Sequence, residues 1–156
     1  MTVLKEGAKA PSFTLASSED KEISLADFKG EHNVVLYFYP KDNTPGCTQE
    51  ACDFRDAIKQ IEKTDAVVLG VSPDPVKAHK GFIEKFGLPF ILLSDEKKEM
   101  LKRYDVWKEK SLYGRKYMGV ERTTVIIDKK GTIRKVFAKV KVSGHIDEVL
   151  EVLKTL

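Results

Sequence analysis

The segment that decides the fold is residues 33–52, NVVLYFYPKDNTPGCTQEAC. Its first part, residues 33–39, contains an unbroken apolar run rich in β-branched and aromatic side chains, which is typical of a strand covered on both faces of a sheet. Pro40 ends this run. From Cys47 onward, apolar residues recur with the spacing of one helical face. The segment therefore predicts a buried strand, a loop and a helix that begins near Cys47.

The flanking sequence predicts further strands and helices in alternation. Strands are predicted at residues 13–16, 22–25, 66–72, 90–94, 123–127 and 133–138, and helices at 75–86, 96–104 and 143–156. The first two strands should form a hairpin, and Asp74 should cap the helix that starts at Pro75. The alternation predicts a parallel sheet with helices on both faces, and the two late strands add an antiparallel edge. The predicted fold class is α/β, in a single domain over residues 1–156.

The composition excludes several classes of protein. Hydrophobic residues make up 42% and charged residues 33% of the 156 residues, as in a soluble globular chain. The 27 Lys and Arg nearly balance the 24 Asp and Glu, and no dense basic block indicates a nucleic-acid partner. No stretch approaches the roughly 18 apolar residues of a membrane span, and the start does not resemble a secretory signal. We therefore expect a cytoplasmic protein with no membrane partner.

The chain has two cysteines, Cys47 and Cys52, which are too few for a disulfide scaffold. In a reducing compartment, such a close pair is more typical of catalysis, redox chemistry or metal binding. The amino end of a helix offers free N–H groups and partial positive charge, which favour a thiolate at Cys47. The alternatives are a buried structural cysteine at position 47 and a small residue on the helix flank at position 52. The pattern alone leaves both alternatives open.

The spacing of the two cysteines limits how they can pair. On an unbroken helix, five residues place their Cα atoms about 8.5 Å apart. A disulfide allows a Cα separation of at most about 7 Å. A bond between the two sulfurs would therefore require the first turns of the helix to unwind, which suits a reaction intermediate better than a permanent crosslink.

The residues just before Cys47 suit a reactive site. Thr44 can present its hydroxyl to the same pocket or cap the helix, and Pro45 suits the first helical position. Gly46, which has no side chain, permits close approach of backbone or substrate.

The stretch FYPKDNTPGCTQEAC, residues 38–52, resembles the active-site segment of peroxiredoxins, and more narrowly that of the bacterioferritin comigratory protein or peroxiredoxin Q group. Similarity continues at residues 72–74, 88–90 and 122–124 and covers nearly the whole chain. The resemblance implies a thioredoxin-like fold, with a central mixed sheet, helices on both faces and an N-terminal hairpin. It also implies a cofactor-free thiol peroxidase that reduces hydrogen peroxide and organic hydroperoxides to water and alcohols.

The resemblance assigns roles to both cysteines. Cys47 matches the peroxidatic cysteine, whose thiolate attacks a peroxide oxygen and becomes a sulfenic acid. Cys52 matches the resolving cysteine, which condenses with that sulfenic acid to form an intramolecular disulfide. The resemblance further implies a monomer whose disulfide is reduced by thioredoxin or a similar dithiol.

Five other residues match positions of the family's site. Thr44 matches the residue that hydrogen-bonds thiolate and peroxide, and Pro40 the residue that shields the sulfur. Arg122 matches the cation that stabilises the thiolate and the charge that develops on oxygen. Gly46 matches a donor of backbone N–H to the peroxide, and Glu50 is expected to orient Arg122.

Two other functions compete with this interpretation. A thioredoxin-like disulfide oxidoreductase would share the fold, but the Cys-x-x-Cys spacing is absent and residues 122–124 stand where the thioredoxin pattern has a proline. A metal-binding module is the other alternative, yet the two cysteines with His32, His79 and His145 suggest no ligand quartet. We expect the histidines to be structural or exposed, with His79 hydrogen-bonded and partly buried.

Overall fold

The strand predicted at the start of the deciding segment lies in the interior of the sheet. The protein is described by a computed structural model over residues 4–156, so the first three residues of the predicted domain lie outside the described part. All six residues of this strand, Asn33–Phe38, are buried. Val35 and Tyr37 pack on one side of the sheet, and Leu36 and Phe38 on the other. An apolar run without polar alternation is therefore explained by two covered faces.

The strands and helices follow the predicted order, with an additional hairpin, an additional 3-10 helix and a division of the helix predicted from Cys47 into two. The strands are β1 Thr14–Ser17, β2 Glu22–Ser24, β3 Asn33–Phe38, β4 Ala66–Ser72, β5 Ile91–Ser94, β6 Trp107–Leu112, β7 Arg115–Val120, β8 Thr123–Ile127 and β9 Ile133–Phe137. The helices are α1 Pro45–Asp56, α2 Ile58–Glu62, α3 Val76–Phe86, α4 Glu99–Arg103 and α5 His145–Leu153, and a 3-10 helix covers Leu25–Phe28.

The main sheet has seven strands in the order β2-β1-β5-β4-β3-β8-β9. Strands β3, β4 and β5 are parallel, whereas β8 and β9 add to the sheet antiparallel, and β1 and β2 form the N-terminal hairpin. Side chains of α1, α3 and α5 fill the core on one face, and those of α4 contribute to the core on the other. The predicted mixed α/β sheet with helices on both faces is therefore confirmed.

Several predicted helix boundaries were wrong. The single apolar stripe that begins at Cys47 belongs to two helices, because the chain leaves helical geometry at Ala57 (φ −99°, ψ 4°). Helix α4 begins at Glu99, later than predicted, since Lys98 has a φ of 61°, in the left-handed region. Helix α5 likewise begins after Gly144, whose φ is 77°.

The predicted role of Asp74 as a helix cap was also wrong. Helix α3 begins at Val76, and Pro75 takes the N-cap position without a side-chain hydrogen bond. The Asp74 carboxylate instead accepts hydrogen bonds from the Ser72 hydroxyl at 2.8 Å and from the Asp42 amide at 2.7 Å. The Asp74 carboxylate therefore binds the loop after β3, whereas the local sequence predicts that it caps α3.

The hairpin of β6 and β7 is not revealed by the sequence pattern. It forms a separate two-stranded sheet, and its turn residues Tyr113 and Gly114 both have positive φ, as a tight two-residue turn requires. Most of its side chains are exposed or half-buried on both faces, so the strands lack apolar alternation. Within residues 4–156, no helix has the length and apolar character needed to span a bilayer.

Gly70 in β4 tests how tightly the central strands pack. A Cβ at this position would lie 2.7 Å from Leu92 Cδ2 and 2.9 Å from Tyr37 Cζ. We expect Gly70→Ala to lower the free energy of unfolding by about 1–3 kcal/mol, because the buried neighbours must shift. Chemical denaturation measures this change.

A matched control for Gly70 is Gly81 in α3, where an added Cβ has no neighbour within 4 Å. Gly81→Ala should raise the free energy of unfolding by about 0.5–1 kcal/mol, since alanine favours the helix. Equal effects of the two substitutions would contradict the packing described for Gly70.

Candidate active site

The amino end of α1 holds Cys47 in its first turn. Thr44 is the N-cap, with extended backbone (φ −97°, ψ 156°), and Pro45 takes the first helical position as predicted. The first intrahelical bond runs from the Thr48 amide to the Thr44 carbonyl at 2.8 Å, so the amides of Gly46 and Cys47 have no acceptor within the helix. The side chain of Cys47 is 2% exposed. Free amides and helix dipole therefore converge on a buried sulfur.

Arg122 reaches this sulfur from the segment between β7 and β8. Its Nη2 donates a hydrogen bond to Cys47 Sγ at 3.3 Å, and its Nη1 donates to Glu50 Oε1 at 2.6 Å. Glu50 lies one turn after Cys47 on α1, and its side chain is 1% exposed. One guanidinium thus bridges two side chains of the same helix, and the contact between Glu50 and Arg122 is present.

Gly46 has no side chain, and the Arg122 guanidinium lies close to the position that a Cβ would take. A Cβ at this position would lie 3.2 Å from Arg122 Nη2. The group that approaches Gly46 is therefore the Arg122 side chain, and the predicted approach of backbone or substrate stays a prediction.

Burial and neighbouring charges both shift the pKa values of Glu50 and Arg122. Burial raises the pKa of Glu50 from its usual 4.5 to about 7, although Arg122 acts in the opposite direction. Glu50 Oε2 is buried and has no hydrogen-bond partner within residues 4–156. For Arg122, burial lowers the pKa, but the neighbouring Glu50 and Cys47 more than offset it, so the pKa is raised. The guanidinium therefore stays charged beside the sulfur.

Thr44, Pro40 and Cys52 are the other predicted site residues. Within residues 4–156, none of them forms a hydrogen bond with the Cys47 sulfur. The Thr44 hydroxyl donates to the Lys41 carbonyl at 2.9 Å, so the predicted side-chain cap is absent from the start of α1. Pro40 is half-buried in the loop that connects β3 to α1. Cys52 is half-buried on the same unbroken helix as Cys47, and both cysteines are free thiols.

A buried hydrogen-bond network holds the loop before α1. Its acidic member, Asp42, was not predicted from the sequence. Tyr39 donates a hydrogen bond to Asp42 Oδ1 at 2.5 Å, and Asp42 Oδ2 lies 2.6 Å from His79 Nδ1. His79 Nε2 donates to the Leu93 carbonyl at 2.9 Å. His79 is hydrogen-bonded as expected, but it is fully buried. A buried histidine needs acceptors, yet nothing in the sequence indicates that Asp42, 37 residues away, supplies one.

Within the described residues, a cluster of three side chains that could bind a cation includes two members of this network. Atoms of Asp42, Asp74 and His79 that could bind a cation lie within 4.8 Å of one another. The atoms of Asp42 and His79 that face each other are already joined by a hydrogen bond, and Asp74 Oδ2 accepts two others. The observed contacts therefore describe a hydrogen-bonded anchor for the loop.

Comparison with known proteins finds a matching family model and relatives that cover nearly the whole chain. The family model described as AhpC/TSA matches residues 7–136. Peroxiredoxin Bcp of Bacillus subtilis is 49% identical over 150 residues, covering 96% of this chain and 95% of the relative. A cysteine-to-serine mutant of PrxQ from Xylella fastidiosa is 38% identical with a TM-score of 0.93, and the match covers 99% of this chain and 98% of that one.

A third relative is the bacterioferritin comigratory protein of Xanthomonas campestris. Its structure is 39% identical to this chain with a TM-score of 0.88, and the match covers 99% of this chain and 98% of that chain. That structure concerns the alkyl peroxide reduction activity of the Xanthomonas protein.

The raised pKa of Glu50 predicts a pH dependence of stability. The folded state holds the Glu50 proton more tightly than the unfolded state, so the free energy of unfolding should fall as the pH rises from 4.5 to about 7. This group can account for a loss of up to about 3 kcal/mol. We expect Glu50→Gln to remove this part of the slope, as measured by denaturation at several pH values.

Glu62, exposed at the end of α2, provides the matched control. Glu62→Gln should leave the pH dependence of unfolding unchanged. If Glu50→Gln also left it unchanged, the protonation of Glu50 would not be linked to folding.

Proposed function

The chain belongs to the AhpC/TSA family of peroxiredoxins and is a thiol peroxidase, and on that premise we propose that Cys47 is the sulfur that peroxides oxidise. The observation that carries the proposal is the 3.3 Å contact between Cys47 Sγ and an arginine that Glu50 holds in place. A fixed guanidinium stabilises the thiolate, which is the nucleophilic form of cysteine.

In the proposed first step, the Cys47 thiolate attacks one oxygen of the peroxide. A sulfur–oxygen bond forms as the oxygen–oxygen bond breaks, the sulfur is oxidised to sulfenic acid, and the second oxygen leaves as water or alcohol once protonated. Arg122 and the free amides of Gly46 and Cys47 are placed to stabilise the negative charge that develops on oxygen.

Thr44 and Pro40 complete the proposed substrate site. We propose that the Thr44 hydroxyl exchanges its bond with the Lys41 carbonyl for one with the bound peroxide, and that Pro40 shields the sulfur from water. Hydrogen peroxide and organic hydroperoxides are the proposed substrates, and the activity associated with the Xanthomonas relative supports the second class.

We propose Cys52 as the resolving residue. Its thiolate attacks the sulfenic sulfur of Cys47, a disulfide forms, and hydroxide leaves and is protonated to water. Both cysteines lie on α1, where the helical spacing of about 8.5 Å exceeds the disulfide limit, so the first turns must unwind. The start of α1 has neither a side-chain cap nor an acidic residue, which lowers the cost of this opening.

The reduction of the disulfide, the oligomeric state, the cellular location and the domain organisation are also proposals. A thioredoxin-type dithiol reduces the disulfide, and the protein acts as a monomer in the cytoplasm, with one domain over residues 1–156. The solvent exposure of Cys52, greater than that of Cys47, supports attack by an external thiol.

Replacement of Arg122 tests the central contact. Arg122→Met should slow the reaction of Cys47 with hydrogen peroxide by about 10²-fold or more, because the fixed charge beside the thiolate and the leaving oxygen is lost. Stopped-flow measurement of the second-order rate constant gives this value, and ultraviolet absorbance reports the thiolate fraction. Arg134, an exposed residue of β9, is the control, and Arg134→Met should leave the rate unchanged. An unaltered rate in Arg122→Met would remove Arg122 from the site.

Replacement of Cys52 separates oxidation from resolution. Cys52→Ser should react with peroxide at the rate of the unmodified protein, but Cys47 should stop at sulfenic acid, about 16 Da heavier than the thiol by mass spectrometry. Thioredoxin-dependent turnover should be lost. Continued turnover at the original rate would show that Cys52 takes no part in the cycle.

A further inference from the structure

Within residues 4–156, the β6–β7 hairpin carries most of the large hydrophobic residues that are exposed. Five large hydrophobic side chains are exposed within residues 4–156, and the hairpin supplies four of them. These four are Leu112, Tyr113, Tyr117 and Met118, with exposed fractions between 46% and 96%. Exposed apolar side chains concentrated in one element are typical of an interaction surface.

The register of the hairpin divides its side chains between two faces. Lys110 is opposite Tyr117, and Leu112 is opposite Arg115, so these four side chains share one face. We refer to Lys110, Leu112, Arg115 and Tyr117 as the site-side face. The opposite face carries Glu109, Lys116 and Met118.

The hairpin that carries the site-side face leads into the candidate active site, and this face includes Lys110. This side chain is half-buried, and a Cβ at Gly119 would lie 3.3 Å from its Cδ and 3.4 Å from Tyr117 Cε2. Burial and the charge of Arg122 lower the pKa of Lys110 by more than Cys47 and Glu121 raise it. Strand β7 itself ends at Val120, two residues before Arg122. The base of the hairpin therefore leads directly to the arginine that contacts Cys47 Sγ.

The site-side face also carries positive charge that the chain leaves unpaired. The hairpin strands and turn contain four basic residues and one acidic residue. Lys108 pairs with Asp105 at 3.2 Å, and Lys116 pairs with Glu109 at 3.6 Å. Within the described chain, neither Lys110 nor Arg115 has a carboxylate within ion-pair distance. Apolar side chains and free cations fit a partner whose surface combines an apolar centre with acidic groups.

We propose that the site-side face is the docking surface for the dithiol protein that reduces the Cys47–Cys52 disulfide, and that this partner surrounds its reactive cysteine with an apolar, acidic surface. The inference rests on the proposed function. A folded reductant must bring its sulfur within about 2 Å of one of these sulfurs. An interface of ordinary size covers about 800 Å² on each partner, so it must extend beyond the loop onto neighbouring surface.

The chemistry that docking serves is a balanced exchange. A thiolate of the partner attacks one sulfur of the disulfide, a mixed disulfide forms, and the other cysteine leaves as a thiolate. The partner's second thiolate then breaks the mixed disulfide. The partner departs oxidised by two electrons, and both cysteines of this chain are reduced.

Substitutions on the two faces of the hairpin test the proposal. The site-side variants are the double substitution Leu112→Ser with Tyr117→Ser and the single substitution Arg115→Glu. Both should lower the rate constant for disulfide reduction by reduced thioredoxin about tenfold or more. Added salt should slow the original protein more than Arg115→Glu. Reduction by dithiothreitol and oxidation by peroxide should not change, because neither small molecule needs the docking surface.

The opposite face provides matched controls. Met118→Ser and Lys116→Glu remove comparable groups from the same hairpin and should leave the thioredoxin rate unchanged. Equal losses from both faces, or a parallel loss with dithiothreitol, would overturn the proposal. It would also be overturned if the double variant broke a dimer in sedimentation without changing the thioredoxin rate, because the face would then bind a second copy. If thioredoxin failed to reduce the original protein, the proposed reductant would be wrong. If only the rate constants of the variants differed from expectation, the docking surface alone would be wrong.

Discussion

The guanidinium of Arg122 bridges Cys47 and Glu50, and the rest of the structure is arranged to make this bridge possible. Arg122 lies 75 residues from Cys47 in sequence, so no local preference brings them together. The register of the sheet does so, because Phe38, the last residue of β3, is opposite Thr123, the first residue of β8. Arg122 therefore emerges beside the loop that leads into α1. A shift in this pairing would separate the cation from the sulfur.

Helix α1 has to satisfy two opposing demands. In the proposed cycle, it holds Cys47 against Arg122 for the reaction with peroxide, and its first turns open for a bond to Cys52. The structure separates these demands along the chain. Ala51 and Phe54 are fully buried and hold the later part of the helix in the core. The network of Tyr39, Asp42 and His79 anchors the loop before the helix, which leaves the uncapped turns between these anchors for the proposed opening.

The sequence pattern predicts the elements that bury apolar side chains on at least one face. Strand β3 is apolar on both faces and was identified with nearly its observed bounds. The β6–β7 hairpin was missed because both of its faces meet solvent over most of their length, which removes the alternation that identifies a strand. Asp74 was assigned to the wrong partner for a related reason. A carboxylate before a proline fits a helix cap, but the amide of Asp42 competes for it from another part of the fold.

The sequence by itself determined the central strand, the start of α1 and the chemical groups of the site, because periodicity and residue type are local properties. Only the tertiary structure decided which of these groups meet. The bridge from Glu50 through Arg122 to Cys47 and the burial of Asp42 against His79 both join distant segments. Burial sets the pKa of Glu50, and the depth of burial depends on packing between elements.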